Sequence, residues 1–287
     1  MKEKIEIVGI RYCRLGTADL DGAVDFAKTM IGLEEVAREN GAVYLRGDHR
    51  DHNLVYFEGD PNDHTLGFEV ETFEELDTAE QILSGAGCEV RRGTDEEAAA
   101  RRCMGFLNFT DPTGNSIDLT VRPFHSGRRY FPSRDAGITE FSHVGLKTSD
   151  PERDEKFWSG HFNIRANDRI GAAALMSFDE VHHRLALFPT DHAGIQHINF
   201  QVEAIDDIMR SYYFLTERQV QIRFGPGRHP TSGAMFLYYE GPDGMTYEYS
   251  SGVRNVDENW RPRQLPFKDE SFCMWGSRPN IPEFSDD

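Results

Sequence analysis

The chain writes one script twice. Segments about 131 residues apart repeat in the same order over its 287 residues, so any fold must hold two copies of one unit. RLGTADLDGAVDF (14–26) answers VGLKTSDPERDEKF (144–157), and DHNLVYFEG (51–59) answers HHRLALFPT (182–190). HTLGFEVETFEELD (64–77) answers QHINFQVEAIDDIM (196–209), and FLNFTDPTGNSIDLT (106–120) answers FLYYEGPDGMTYEYS (236–250). Four echoes in one order imply duplication.

Within each half the order is strand, helix, then several strands, and that order runs twice. Helices are expected near 20–31, 72–86, 151–160 and 203–218. Each opens on an Asp, Glu or Thr-type start signal and carries apolar residues at helical spacing, such as Ile205, Ile208, Met209 and Tyr212. Short alternating strands lie between them, broken by turns at 111–114, 225–227 and 241–244 that contain Gly and Pro. The pattern predicts an α+β fold of four βαβββ modules, two per domain. The first domain is expected over 1–130 and the second over 138–287. The linker falls within about 122–138, which is rich in Pro, Gly and Arg and lacks periodicity. After about 251 a Pro- and Trp-containing tail has no repeat counterpart. It is expected to pack across the domains and to end in mobile acidic residues.

Charge and composition narrow the function. A formal charge of −18 repels phosphate backbones and anionic lipid, so neither nucleic acid nor membrane is an expected partner. No segment approaches the roughly 18 uninterrupted apolar residues of a membrane span, and the amino terminus lacks a signal-peptide pattern, so a soluble cytoplasmic protein is expected. Cys13, Cys88, Cys103 and Cys273 form no CxxC pair, which argues against a thiolate zinc site or a disulfide framework.

Strand alternation in the second half supplies the chemical signal. In QHINFQV, Ile198, Phe200 and Val202 share one face, and His197, Asn199 and Gln201 the other. In FSHVGL, Val144 and Leu146 take the packing face and leave His143 opposite. In GMTYEYS, Glu248 alternates with Met245, Tyr247 and Tyr249. Two imidazoles and one carboxylate can therefore converge from three strands, a ligand set that leaves positions open for Fe(II) oxygen chemistry. A lone buried His is more often a hydrogen-bonded interior residue, but the repeat provides a control. The matching positions of the first half hold Tyr12, Thr65 and Asp118, a poor metal-binding set, so the fold does not require the triad.

HVGL (143–146), HHRLALFP (182–189), QHINFQV (196–202), GPGRHPTSGAMFLYYEGPDG (225–244) and YEYS (247–250) resemble the catalytic domain of type I extradiol catechol dioxygenases. These belong to the vicinal oxygen chelate superfamily, and the likeness runs through both halves to about residue 252. The resemblance implies two vicinal oxygen chelate domains of glyoxalase/bleomycin-resistance type, each an open barrel-like sheet, with the metal site in the second only. It makes His143, His197 and Glu248 the ligands of Fe(II), with Mn(II) as the alternative ion. His183 matches the family's acid/base histidine, His229 a histidine that bonds a substrate hydroxyl, and Tyr238 the tyrosine that contacts the catechol oxygen. Thr231-Ser232 stands where the biphenyl-diol branch often has Asn-Asp, which leaves the support of His229 open.

Blander readings stand beside these. His183 aligns with His52, so a His there could serve the turn, and Tyr238 shares a strand face with Ala234 and Phe236, as a core aromatic would. His161, His182 and His192 read as surface or supporting residues, and His125, Arg128 and Arg129 as linker structure. The implied partners are a catecholic substrate, O2 and further copies of the chain in a homo-oligomer. The branch acts on 2,3-dihydroxybiphenyl, 3-substituted catechols and 2,3-dihydroxy-p-cumate; the look of the linker and tail favours the last, which would call for a basic residue near the ring substituent. Two rivals share the fold: a metal-dependent isomerase or epimerase, which wants a fourth ligand from the first half, and a metal-free ligand-binding protein of bleomycin-resistance type.

Overall fold

A computed structural model describes residues 4–284. The first half runs β1 (Gly9–Thr17), α1 (Leu20–Phe26), β2 (Glu34–Glu39), β3 (Ala42–Arg46) and β4 (Leu54–Glu58). It continues with β5 (His64–Val70), α2 (Phe73–Gly85), β6 (Val90–Arg92), α3 (Asp95–Ala100), β7 (Cys103–Thr110) and β8 (Ser116–Pro123). The second half runs β9 (Ile138–Thr148), α4 (Pro151–His161), β10 (Arg165–Ile170), β11 (Ala173–Ser177) and β12 (Leu185–Pro189). It continues with β13 (Ile195–Val202), α5 (Ile205–Glu217), β14 (Ile222–Arg228), β15 (Met235–Glu240) and β16 (Thr246–Ser251). These are the four expected βαβββ modules; only the short α3 was not foreseen.

Local chemistry explains the helix starts. Thr72 and Glu75 form a reciprocal cap at α2, and Thr94 and Glu97 do the same at α3. Asp150 caps α4, with Pro151 in the first turn where a missing N–H costs nothing. Helix α1 continues as a wider turn over Ala27–Ile31 and stops at Gly32, whose φ of 86° is left-handed.

The strand order of the first sheet is β2-β3-β4-β1-β5-β8-β7-β6. The second repeats it as β10-β11-β12-β9-β13-β16-β15-β14. In both, the first strand of a module pairs in parallel with its fourth, and the two modules join antiparallel through β1·β5 or β9·β13. Each sheet therefore curls around an inner face, while its other face meets the helices and the opposite half.

That outer face is the main core, which includes Phe68, Leu119, Val144, Trp158, Ile198, Phe200 and Tyr249 from both halves. Trp158 is fully buried, its ring edge-on to Phe68 at 5.7 Å, and a ring of this size contributes about 3–5 kcal/mol relative to alanine. The segment between the halves is pinned from both sides. Arg46 donates to the carbonyls of Arg128 and Arg129, and Arg134 donates to Ser211 Oγ and the Tyr249 hydroxyl.

The tail corrects one expectation. Instead of crossing between domains, it completes the second sheet: β17 (Arg263–Leu265) pairs with β10 at one edge, and β18 (Trp275–Gly276) with β14 at the other. Phe272, in the short α6 (Asp269–Phe272), joins Ile281 and Phe284 in packing against Phe224, Phe236 and Tyr238 on the inner face. A tail with apolar residues and no repeat partner is thus chiefly a lining for the second barrel. The acidic end expected to be mobile, Ser285 to Asp287, lies outside the described residues. All four cysteines are free.

Candidate metal centre

Three adjacent strands set the site. In the ladder His143 stands opposite Asn199, and Asn199 opposite Glu248, while His197 stands opposite Gly145 on β9. A Cβ at Gly145 would lie 2.6 Å from His197 Nδ1, so only glycine leaves room for that ring. Asn199 and Ser250 exchange hydrogen bonds at 2.9 and 3.2 Å, which ties β13 to β16 beside the ligands. Arg184 steadies the start of β9 by donating to Glu140 Oε1 at 2.7 Å and to the Ser142 carbonyl at 3.1 Å.

The three predicted ligands meet. His143 Nε2 lies 3.0 Å from His197 Nε2 and 2.9 Å from Glu248 Oε2, and His197 Nε2 lies 3.4 Å from the same oxygen. All three residues are at most 2% exposed, too dry for chance surface clustering. An octahedral ion with bonds of about 2.1 Å holds neighbouring ligands about 3.0 Å apart, so these spacings suit one ion bound on one face. Glu248 Oε2 is buried without a hydrogen-bond partner, which an unmetallated role would leave uncompensated. The residues therefore fit a divalent ion, and among the described residues they form the metal-capable cluster.

The electrostatics keep the ligands ready. Burial opposes charge on Glu248, yet His143, His229 and His197 outweigh it and hold the carboxyl well below its usual range. Burial holds His197 neutral, its pKa pushed down to about 3 despite Glu248. His197 Nδ1 donates to Gln196 Oε1 in a close contact, which leaves Nε2 bare for the ion.

The predicted catalytic residues surround the triad. The His183 ring centroid is 4.2 Å from that of His143, and burial followed by His143 and His182 holds its pKa well below 6.5. His229 Nδ1 donates to the Phe272 carbonyl at 2.7 Å, and its Nε2 lies 3.2 Å from the Tyr238 hydroxyl. A tail carbonyl thus supports His229 where the sequence comparison left that support open. Burial, and after it Glu248, pushes the Tyr238 phenol well above 10. His183, His197, His229 and Tyr238 all line one small cavity of about 30 Å³, bordered by Leu175, Phe188, Phe272 and Phe284. Among the described residues no Lys or Arg lines it.

Asp168 and Arg263, which stand behind His182, escaped the sequence reading. His182, placed there among surface or supporting residues, is fully buried: its Nδ1 lies 3.1 Å from His183 Nδ1 and its Nε2 3.0 Å from Asp168 Oδ2. The doubled His was a visible signal, but Asp168 comes from β10 and its partner Arg263 from the tail, so only folding joins them. His192 is exposed beside Asp191 and Lys147, and His161 packs against Phe157, neither near the triad.

Comparison with known proteins agrees with the repeat. The sequence profile of the Glyoxalase/Bleomycin resistance protein/Dioxygenase superfamily matches residues 9–119 and again 140–249. A 1,2-dihydroxynaphthalene dioxygenase of Sphingobium xenophagum is 27% identical, covering 85% of this chain and 88% of that protein. An iron-dependent extradiol dioxygenase of Rhodococcus jostii (strain RHA1) is also 27% identical, covering 95% and 97%. The crystal structure of a halotolerant catechol dioxygenase superposes with a TM-score of 0.88 at 22% identity, covering 98% of both chains, which establishes the likeness of fold. Duplicated sheets, a profile matched once per half, and a buried triad confined to the second half lead to one assignment: this chain belongs to the glyoxalase/bleomycin resistance/dioxygenase superfamily.

Proposed function

We propose that the protein is an extradiol, ring-cleaving catechol dioxygenase that inserts both atoms of O2 into a substituted catechol, with His143, His197 and Glu248 holding Fe(II). One observation carries the reading: the three ligand atoms converge beside an apolar cavity that also presents His183, His229 and Tyr238. A metal-free binding protein would have no use for a buried carboxylate oxygen held 2.9 and 3.4 Å from two imidazole nitrogens. The ligand chemistry also accepts Mn(II). Among the described residues no helix is long and apolar enough to cross a membrane.

A bound Fe(II) supplies the redox chemistry and lowers the pKa of the catechol hydroxyls. The protein's own groups do the rest. His183, kept neutral by burial, takes a proton from the reacting centre and returns it. Tyr238 stays protonated and donates a hydrogen bond to a substrate oxygen, while His229, with Nδ1 committed to the tail, offers Nε2 as acceptor to a substrate hydroxyl. The aromatic lining excludes water from the site.

With no Lys or Arg in that lining, the cavity favours the neutral, apolar-substituted members of the catechol class over carboxylated ones. The two units proposed are 1–130 and 138–287, supported by one complete sheet in each. A homo-oligomer is part of the same proposal, supported by the exposed apolar side chains of Phe73, Met104 and Phe124 on the first half. Iron-loaded protein mixed with 3-substituted catechols in air should consume oxygen and form a yellow product. Absence of both, with iron confirmed in the protein, would overturn the assignment.

A further inference from the structure

We propose that His182 and Asp168 are positioning residues that hold His183 in a single tautomer, with Nδ1 protonated and Nε2 bare on the cavity side. The inference rests on the reading of His183 as the acid/base group, and adds the device that would make its reactive nitrogen available.

Asp168 is fully buried and accepts from the Arg263 backbone N–H at 3.0 Å and from Arg263 Nε at 3.0 Å, with Arg263 Nη2 in closer contact on Oδ2. Those bonds require an ionised carboxylate, which can only accept. His182 Nε2, 3.0 Å from Asp168 Oδ2, is therefore the N–H donor. One negative charge is already matched by Arg263, and burial, then the charges of Arg254 and Arg263, oppose a second proton on this ring and outweigh the pull of Asp168. His182 is then neutral and its Nδ1 is a bare acceptor. The 3.1 Å contact between the two Nδ1 atoms has one consistent reading: His183 Nδ1–H donates to His182 Nδ1. Nε2, the remaining nitrogen of His183, is left without the proton, on a ring that lines the cavity next to His143.

The surroundings hold the pair in place. Asn167 Nδ2 donates to the His182 carbonyl at 2.8 Å, Trp260 stands edge-on to the His182 ring at 5.9 Å, and Trp260 Nε1 donates to the Asn167 carbonyl at 2.9 Å. Arg263 also donates to the carbonyl of Thr231, a residue of the cavity wall. The tail, through Trp260 and Arg263, thus helps to orient His183 by way of His182 and Asp168. The first half contains the contrast. His52, aligned with His183, has Nδ1 on the neighbouring Asp51 carboxylate at 3.2 Å and its Nε2 buried without a partner, on a half with no metal triad.

Two measurements test this together. In ¹⁵N-histidine-labelled, Zn(II)-loaded protein, NMR should show His183 with Nδ1 protonated and Nε2 bare, the assignment being made by loss of its signals in His183→Phe. His182→Phe should turn this into a mixture of tautomers. In iron-loaded protein His182→Phe should lower kcat about 10- to 100-fold with metal content and KM for the catechol little changed. His182→Asn, whose amide oxygen can replace the Nδ1 acceptor, should recover most of that loss. A wild-type His183 protonated at Nε2 overturns the proposal, without recourse to any variant. Full kcat in His182→Phe alongside a slow His183→Phe overturns this proposal alone, whereas full kcat in His183→Phe overturns the acid/base reading and this one with it.

Discussion

Tyr12 donates its phenol to Asp118 at 2.9 Å on the same rungs of the first sheet where, in the second, His143 Nε2 meets Glu248 at 2.9 Å. Arg101 Nε adds a 2.6 Å bond to Asp118, and the Tyr12 ring fills the space beside Gly67. One scaffold thus carries a metal triad in one copy and a sealed hydrogen-bonded plug in the other. It also removes the fourth ligand that an isomerase would want, because the Asp118 carboxylate is already committed.

One metal ion per chain follows. Tyr12→His should leave the stoichiometry at one by elemental analysis, since Arg101 still neutralises Asp118. It should cost about 1–3 kcal/mol in denaturant unfolding, from the lost buried hydrogen bond. A second tightly held ion in the variant would contradict the plug.

Removing a ligand and removing the acid/base group should have different signatures. His197→Ala should lose iron and oxygen uptake together, because two remaining ligands bind too weakly. His183→Phe should keep its iron and slow turnover by about 10²- to 10⁴-fold. Full iron and full rate in purified His197→Ala would sink the triad.

Tyr238 should act as a protonated donor throughout the working pH range, because burial and Glu248 both raise its pKa. Tyr238→Phe should reduce kcat/KM about 3- to 10-fold, the value of one hydrogen bond, and leave the alkaline limb of the pH–rate profile in place. Disappearance of that limb in the variant would mean that the phenol titrates after all.

Acid should destabilise the metal-free protein early. Burial lowers the pKa values of His52, His182, His183 and His197, the last to about 3. Between the ordinary imidazole value near 6.5 and those lowered values, the unfolded chain binds protons that the folded one refuses. Stability is therefore full above about 6.5 and is lost as pH falls toward 3. The urea midpoint should drop between pH 7.5 and 5, before most carboxylates titrate; a flat midpoint over that interval would refute the buried neutral histidines.

The cavity lining sets a preference. Catechols with a neutral 3-alkyl or 3-aryl group should exceed 3-carboxycatechol in kcat/KM by at least about tenfold, since a carboxylate would enter an apolar wall unpaired. Equal values for the two would show that a cation reaches the site during turnover.

Much of this was legible before folding. The repeat placed Tyr12, Thr65 and Asp118 opposite His143, His197 and Glu248, and the ladders align them in that register. Three of the four principal helices lie within the expected bounds and α4 runs one residue past them, because caps such as Thr72 and Asp150 are local signals read within a few residues. Period-two alternation marked which side chains leave the packing face, so the triad could be named from three short strands.

What lay beyond reach was whatever depends on residues distant along the chain. The tail offered no repeat to align, so its two edge strands and the Phe272 carbonyl under His229 could not be anticipated. Asp168, His182 and Arg263 come from three separate segments, and no spacing rule links them. Sequence alone determined the duplicated unit and the faces of its strands, because duplication and periodicity are properties of neighbours along the chain. Tertiary structure alone decided which proton sits on which imidazole, because that depends on acceptors brought together only when the sheet closes.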